Sequence, residues 1–300
     1  MAQDFCFGIQ SAEDLDNSTL LPNFISPVRG EKTLYDKIKI HLGNAAEWIY
    51  TTFIDRRVAN GENREEFVDV FQPMLIAEAL RRALPSLDLV LTPNGFAVTS
   101  TSNLAPASAQ RVEALAAELV DIRDLAISRW LSDPRMPEAT NPAQDEFFAK
   151  TLFCDFHILE WVDESLGDSL PRSAWERFLV LRQKALAVQG EIERKWIGPE
   201  LMRELCLKNY QLRYSDENDH SLSDFIVSPQ GHVASKLIKI IADAAVNVKT
   251  LSDRRWLLVE MVDFIRKHPE DFESWHNSPI AEIFNPPIFH NEKKSSGFFF

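Results

Sequence analysis

Residues 67–98 have the sequence FVDVFQPMLIAEALRRALPSLDLVLTPNGFAV, and the spacing of the apolar residues changes partway through this stretch. Up to Leu84 they recur at three- and four-residue steps, which predicts the buried face of a helix. Pro73 lies inside that pattern, so we expect a kink there or a helix that restarts with Pro73 in its first turn. After Pro85 every second residue is leucine as far as Leu91, which is strand spacing.

A β-hairpin is therefore predicted at about residues 87–99. Pro93, Asn94 and Gly95 suit a three-residue turn of type I, closed by the glycine in a left-handed conformation. A lone two-stranded hairpin is marginally stable in water, so we expect it to lie on the flanking helices or to pair with another chain. The residues predicted to bind a partner near its tip are Thr92, Asn94, Gly95 and Phe96.

The rest of the chain predicts a mainly α, multi-helix architecture. Long apolar stripes predict helices at about residues 32–55, 108–132, 173–197, 230–248 and 252–267. Ser173 and Glu176 have the capping-box spacing at the start of one of these helices. Gly198 and Pro199 then predict the end of that helix and the start of a short one that reaches Cys206.

Residues 132–144 carry three prolines and no periodicity, so they are the best candidate for a boundary between two halves. The predicted parts are an N-terminal helical half with the hairpin at residues 1–142, a C-terminal helical half at 143–272 and an aromatic tail at 273–300. Residues 151–156 echo residues 19–24, and the long helices that follow have the same stripe spacing. Duplication of a helical half and coincidence both stay open, because amphipathic helices share such spacings.

Charge and cysteine content limit the class of protein. The net charge of -13 argues against gripping nucleic acid through its phosphates, although DNA could pass through an opening without sticking. No run approaches the ~20 apolar residues of a membrane helix, and the first residues lack a signal-peptide pattern, so we expect the cytoplasm. The three distant cysteines argue against a disulfide framework or a structural zinc site.

No motif in the sequence carries recognisable catalytic chemistry. The histidines form no HExxH pair, and the phosphate-binding glycine patterns and Gly-x-Ser-x-Gly are absent. Pairs of carboxylates such as Asp121 and Asp124, or Glu191 and Glu193, are predicted at solvent-facing helix positions. We therefore predict a protein that is not an enzyme and has no catalytic residue, cofactor or metal. The alternative is a cytoplasmic enzyme or binding module whose site is assembled from scattered residues.

The end of the sequence predicts a docking segment. A charged spacer at residues 291–294 and a Ser-Ser-Gly run precede Phe298, Phe299 and Phe300. Burying one such side chain is worth roughly 1.5–3 kcal/mol, so docking two or three could offset the cost of ordering a short tail. We predict that these phenylalanines bind a neighbouring subunit. The alternative is that the tail folds back on its own core.

Several of these features together resemble a known family. The helix end Ala83-Leu84-Pro85, the Leu87-Asp88-Leu89 strand, the Asn94-Gly95-Phe96 turn and the long second helix resemble an uncharacterised family from phage and prophage structural gene clusters of Bacteroidetes-type bacteria. The segment from Ser173 to Gly198 and the aromatic tail are also similar. The resemblance implies a head–tail connector or adaptor that forms a homo-oligomeric ring, with phage portal and tail proteins as partners. It implies a location in the bacterial cytoplasm during assembly and then in the virion, and it supplies no catalytic residues.

Overall fold

The computed structural model describes residues 6–18, 32–87, 89–92, 95–98, 108–154, 156–161, 170–213, 227–246 and 251–285. These residues are mainly helical, which confirms the predicted fold class at that level. The α-helices are α1 (Ala12–Asp16), α2 (Leu34–Thr52), α3 (Arg56–Ala59), α4 (Val68–Ala83), α5 (Ala109–Leu131), α6 (Met136–Ala139), α7 (Pro142–Ala149), α8 (Ala174–Ile192), α9 (Pro199–Arg213), α10 (Pro229–Val246), α11 (Arg255–Lys267), α12 (Glu273–His276) and α13 (Pro279–Phe284). Among the described residues, no helix has the length and apolar character needed to cross a membrane.

The long helices of the N-terminal half pack as a layer in which α4 contacts both α2 and α5. Helix α2 begins at a complete capping box, in which Thr33 and Asp36 each accept a hydrogen bond from the backbone N–H of the other. Helix α4 does not restart at Pro73. It begins at Val68, after a 3₁₀ turn at Arg64–Phe67, so Pro73 lies in its second turn and interrupts only one backbone hydrogen bond near the helix start.

Two short strands, β1 (Leu89–Thr92) and β2 (Gly95–Val98), pair in antiparallel fashion between α4 and α5 in the chain. The register sets Leu89 opposite Val98 and Thr92 opposite Gly95. Pairing that reaches Gly95 leaves two residues between the strands, so the predicted three-residue turn is wrong. Those two residues, Pro93 and Asn94, lie outside the described part of the chain. Leu87 precedes the first strand, because a 3₁₀ turn at Leu84–Ser86 extends α4.

The proline-containing stretch after α5 is helical and packed, not an irregular connection. Pro137 and Pro142 stand in the first turns of α6 and α7, where the missing N–H costs nothing, and Pro134 lies in the turn that precedes α6. Met136 and Ala139 of α6 are buried. The Gln144 side chain of α7 donates a hydrogen bond to the Tyr50 carbonyl at 2.9 Å, so this stretch is fastened to α2.

The first long helix of the C-terminal half is α8, which begins after Ser173 as predicted. Its last residues pass into a π-helical turn, Glu193–Ile197, and Gly198 with φ 82° ends the helix as its sequence predicts. Helix α9 then runs to Arg213 and is longer than the short helix predicted to reach Cys206. The reason is that its buried face continues beyond that point, as far as Tyr210.

Residues 273–285, predicted as the start of an aromatic tail, are packed against the body. Trp275 of α12 is fully buried and its indole N–H donates to the Trp196 carbonyl at 3.0 Å. The Phe284 ring of α13 lies 5.6 Å from the Trp196 ring. The buried apolar residues of both halves join in one cluster. Whether the halves are duplicated stays a prediction, since residues 19–24 of the echo lie outside the described residues.

Candidate functional site

A buried ionic cluster joins α4 to α5, the helices that precede and follow the two strands in the chain. Its central group is the Glu78 carboxylate, which is only 2% exposed. Glu78 accepts hydrogen bonds from Arg81 of its own helix at 2.8 Å and from Arg82 at 2.7 Å. The Arg123 guanidinium of α5 donates to the same carboxylate at 3.1 Å. Because Arg123 is 3% exposed, this ion pair has almost no contact with water.

The cluster continues from α5 to the start of α8. Arg123 donates to the carboxylate of its neighbour Asp124 at 2.8 Å and to the Ser173 hydroxyl at 2.7 Å. Asp124 in turn accepts hydrogen bonds from the Ser173 hydroxyl at 2.8 Å and from the Trp175 backbone N–H at 3.3 Å. The Ser173 hydroxyl also accepts from the Glu176 N–H at 3.1 Å. A carboxylate at the first turn of a helix satisfies free N–H groups and opposes the positive end of the helix dipole.

The electrostatics of the cluster favour a fastening role. Burial by itself raises the pKa of Glu78, but the hydrogen bonds from Arg81 and Arg82 and the charge of Arg123 outweigh it and lower the pKa to about 2. Glu78 is therefore ionised at neutral pH, and both of its oxygens accept hydrogen bonds from arginines. The hydrogen bond to Glu78 raises the pKa of Arg81. Charged groups paired in this way hold three helices in one arrangement.

The sequence missed this cluster. Asp124 was predicted at a solvent-facing position, and that prediction is wrong: its side chain is buried between α5 and the start of α8. An Arg-Asp pair on an amphipathic helix normally indicates a solvated face. The residues next to Arg123 and Asp124 in the sequence carry no sign that this pair is buried. The single signal available was Ser173, which caps α8 as predicted. Its hydroxyl accepts from the Glu176 N–H, and Asp124 of α5 accepts from the Trp175 N–H in the same first turn.

The residues predicted to bind partners fall in two places. Thr92, Gly95 and Phe96 belong to the paired strands, with Thr92 and Gly95 opposite each other at the end of the ladder. Asn94 and the three phenylalanines at 298–300 lie outside the described residues. The structure therefore brings the first three together on one element, and the role of all seven residues in binding stays a prediction.

The described residues hold no group of three or more His, Cys, Asp or Glu side chains arranged to hold a metal ion. Cys154 and Cys206 are buried thiols, and Cys6 is partly buried. Burial raises the pKa of the Cys206 thiol to about 12, so it is neutral at physiological pH.

A buried arginine joins α8 to α7. The Arg182 guanidinium lies 3.8 Å above the Phe147 ring, and burial lowers the pKa of Arg182 to about 10.

A cavity of about 400 Å³ lies between α7, the end of α8 and α9. Its inner wall is formed by buried side chains of Gln189, Met202 and Cys206, while exposed residues such as Leu207 stand at its opening. A concave, largely apolar site of this size is suited to bind an apolar group. Sequence reasoning missed the cavity as well, because its walls come from helices that are remote in the chain.

The fold and the ionic cluster thus define a mainly helical protein in which a two-stranded element stands between two helices that a buried ion pair joins. Residues 25–132 match the model of a family described as a family of unknown function (DUF6712). The match covers 108 of the 300 residues and runs from before α2 to the end of α5, so it includes the hairpin. No curated protein and no solved structure shows significant similarity to the chain.

Proposed function

We propose that this chain is a non-enzymatic structural protein of phage assembly, a head–tail connector or adaptor that forms a ring of identical subunits between portal and tail. The observation that carries the proposal is the unit formed by α4, the strands and α5. Within the described residues the sheet has two strands, so each strand offers one edge without a partner strand. An open edge can accept a strand of another chain through main-chain hydrogen bonds.

The two helices of that unit are joined by the ionic cluster. Glu78 lies in the last two turns of α4, and Arg123 connects it to α5, so the helices that precede and follow the strands are held against each other. Helices held together in this way lower the entropy cost of presenting an element to a neighbour. The resemblance to phage structural proteins supports the same function, and residues 25–132, which match a family, contain the whole unit.

The charge of the chain agrees with a ring through which DNA passes. The net charge of -13 makes strong attachment to phosphates unfavourable, so a DNA strand would slide past the subunits without being held. Location in the bacterial cytoplasm during assembly and in the virion afterwards belongs to the same proposal. Phage portal and tail proteins are its proposed partners.

The test compares the wild-type chain with a variant in which residues 89–98 are replaced by a Gly-Ser linker. Each is mixed with the portal protein from the same gene neighbourhood and imaged by negative stain, and the mass of the complexes is measured by light scattering. Rings or portal complexes with the wild type, and monomers of unchanged melting temperature with the variant, are expected. Persistent wild-type monomers with no portal complex would count heavily against the proposal.

The predicted binding of Phe298, Phe299 and Phe300 to a neighbouring subunit is part of this proposal. Deletion of residues 291–300 is expected to weaken ring or portal assembly while the monomer keeps its melting temperature. A matched control replaces the same residues with a Gly-Ser sequence of equal length, which keeps the chain length and removes the aromatic side chains. A large drop in monomer stability with unchanged assembly would show instead that the tail closes its own core.

A further inference from the structure

The cavity between α7, α8 and α9 is preformed. Its inner wall includes the Gln189 side chain, which hydrogen bonds to the surrounding chain hold in place. The Gln189 amide oxygen accepts hydrogen bonds from the Thr151 hydroxyl at 3.1 Å and from the Leu152 N–H at 3.3 Å. Its amide nitrogen donates to the Lys150 carbonyl at 3.0 Å. Gln189 is thus occupied by the chain that follows α7. It contributes a rigid wall and leaves the inside of the cavity to apolar atoms.

The inside of the cavity is suited to an aromatic group. Met202 and Cys206 of α9 are buried along the inner wall, and methionine and thiol sulfur atoms make favourable contacts with aromatic rings. The Cys206 thiol is neutral, since burial raises its pKa to about 12, so no charge opposes an apolar occupant. Leu207 is 46% exposed at the opening, which leaves an apolar edge in contact with water.

The opening of the cavity carries charges of both signs. Glu146 and Glu193 supply two carboxylates, and Lys150 and Arg203 supply two cations. Glu146 and Lys150 are already paired at 2.6 Å, one turn apart on the surface. A segment that enters the cavity would therefore be best matched by apolar side chains flanked by residues of mixed charge. The chain contains such a segment, Glu292-Lys293-Lys294 followed by Phe298-Phe299-Phe300.

The described chain ends close to this cavity. Helix α13 packs on the π-helical turn Glu193–Ile197, which also supplies Glu193 to the cavity opening. The last described residue, Asn285, follows Phe284, whose ring lies against Trp196 of the same turn. Residues 286–300 come next in the sequence, and fifteen residues can span about 50 Å when extended. That reach exceeds the radius of gyration of a compact domain of this length, about 19 Å, so the segment is long enough to extend past its own chain.

We propose that this cavity is the receptor for the Phe298–Phe300 segment of a neighbouring copy of the chain. The inference rests on the proposed ring-forming function and names the surface that its subunits use. Each copy then offers one cavity and one aromatic segment, and such a head-to-tail contact closes into a ring when the rotation between copies allows it. The phenylalanine rings fill the apolar interior, while Glu292, Lys293 and Lys294 lie against the opposite charges at the opening.

The test uses the full chain with a photo-reactive benzoylphenylalanine at position 299. Equal amounts of isotopically heavy and light protein are mixed under unfolding conditions, refolded together and irradiated, and the crosslinked peptides are identified by mass spectrometry. Crosslinks from position 299 to residues 199–207 that join a heavy to a light peptide are expected. Crosslinks to that region within single chains only would overturn the proposal in favour of a tail that folds back. Crosslinks only to other surfaces would overturn it altogether.

Two matched leucine variants complete the test. Leu207→Asp places a charge at the cavity opening and should lower the yield of the crosslink by roughly tenfold. Leu125→Asp alters an exposed leucine of α5 away from the cavity, 54% exposed, and should leave the yield unchanged. Equal yields in the two variants would refute the cavity as receptor. Ring formation with the portal is scored separately on the same samples, so a chain that assembles without the crosslink contradicts this inference and leaves the proposed function standing.

Discussion

The Glu78 carboxylate and the Arg123 guanidinium, 45 residues apart in the chain, meet at 3.1 Å in a place that water hardly reaches. Removing only one of the two charged groups costs stability, because the other group then stays buried with little water to solvate its charge. The pair joins α4 to α5, and Arg123 also donates hydrogen bonds to Asp124 and Ser173.

Replacing one partner of the pair should destabilise the fold. Glu78→Gln leaves Arg123 with Asp124 as its remaining carboxylate partner, and we expect a loss of about 3 kcal/mol in the free energy of unfolding, measured by urea denaturation. The control is Glu191→Gln, which breaks the exposed ion pair with Lys195. It should hardly change the unfolding midpoint, since exposed pairs contribute little. A Glu78→Gln variant as stable as the control would contradict the fastening role.

The same carboxylate should give the stability of the protein a defined pH dependence. The pKa of Glu78 in the folded chain is about 2, lowered from an ordinary value of 4.5. A lowered pKa contributes stability that is fully present above pH 4.5 and is lost as the pH falls towards 2. The difference in unfolding free energy between wild type and Glu78→Gln should therefore be constant above pH 4.5 and shrink by about 3 kcal/mol down to pH 2. A difference that stays constant through this range would show that Glu78 is not the group involved.

Ser173 should contribute more to the free energy of unfolding than an ordinary helix cap does. Ser173→Ala removes the cap of α8 together with the hydroxyl that lies between Arg123 and Asp124, so we expect a loss of about 2 kcal/mol in unfolding free energy. Thr33→Ala is the matched control, because Thr33 caps α2 at an exposed position. Its loss should be about 1 kcal/mol or less. Equal losses in thermal or urea unfolding would show that the cluster adds nothing to the cap.

The three cysteine thiols should react at different rates, because they are buried to different degrees. In the native chain at pH 8, Cys206 is buried and its raised pKa of about 12 keeps it protonated, so it should not react with a disulfide reagent. Cys154 is also buried and should be protected, while the partly buried Cys6 should react. Unfolding in urea should expose all three cysteines. A Cys6→Ser variant that still reacts quickly in the native state would contradict the burial of Cys154 or Cys206.

Much of the helical structure follows from local patterns. The apolar stripes around Phe71 and Trp130 predicted two helices that the structure contains. The sequence also placed the start of α5 after Ser108, the start of α8 after Ser173 and the stop at Gly198 correctly. Periodicity and capping depend on residues within a few positions of one another, so a single sequence carries them. The details that failed, such as the three-residue turn and the early end of α9, depend on where pairing or burial stops. Strand register and the extent of a buried face are set by neighbours elsewhere in the fold.

The sequence by itself determined that this protein is mainly helical, where its longest helices lie and which of their faces are apolar. Only the tertiary structure decided that Asp124 is buried, that Glu78 and Arg123 form one cluster with Ser173, and that Trp275 lies in the core. The physical reason is the distance along the chain between the residues that interact. A helix face needs only the order of nearby residues, whereas a buried charge needs partners, and Arg123 finds the Glu78 carboxylate 45 residues away on another helix.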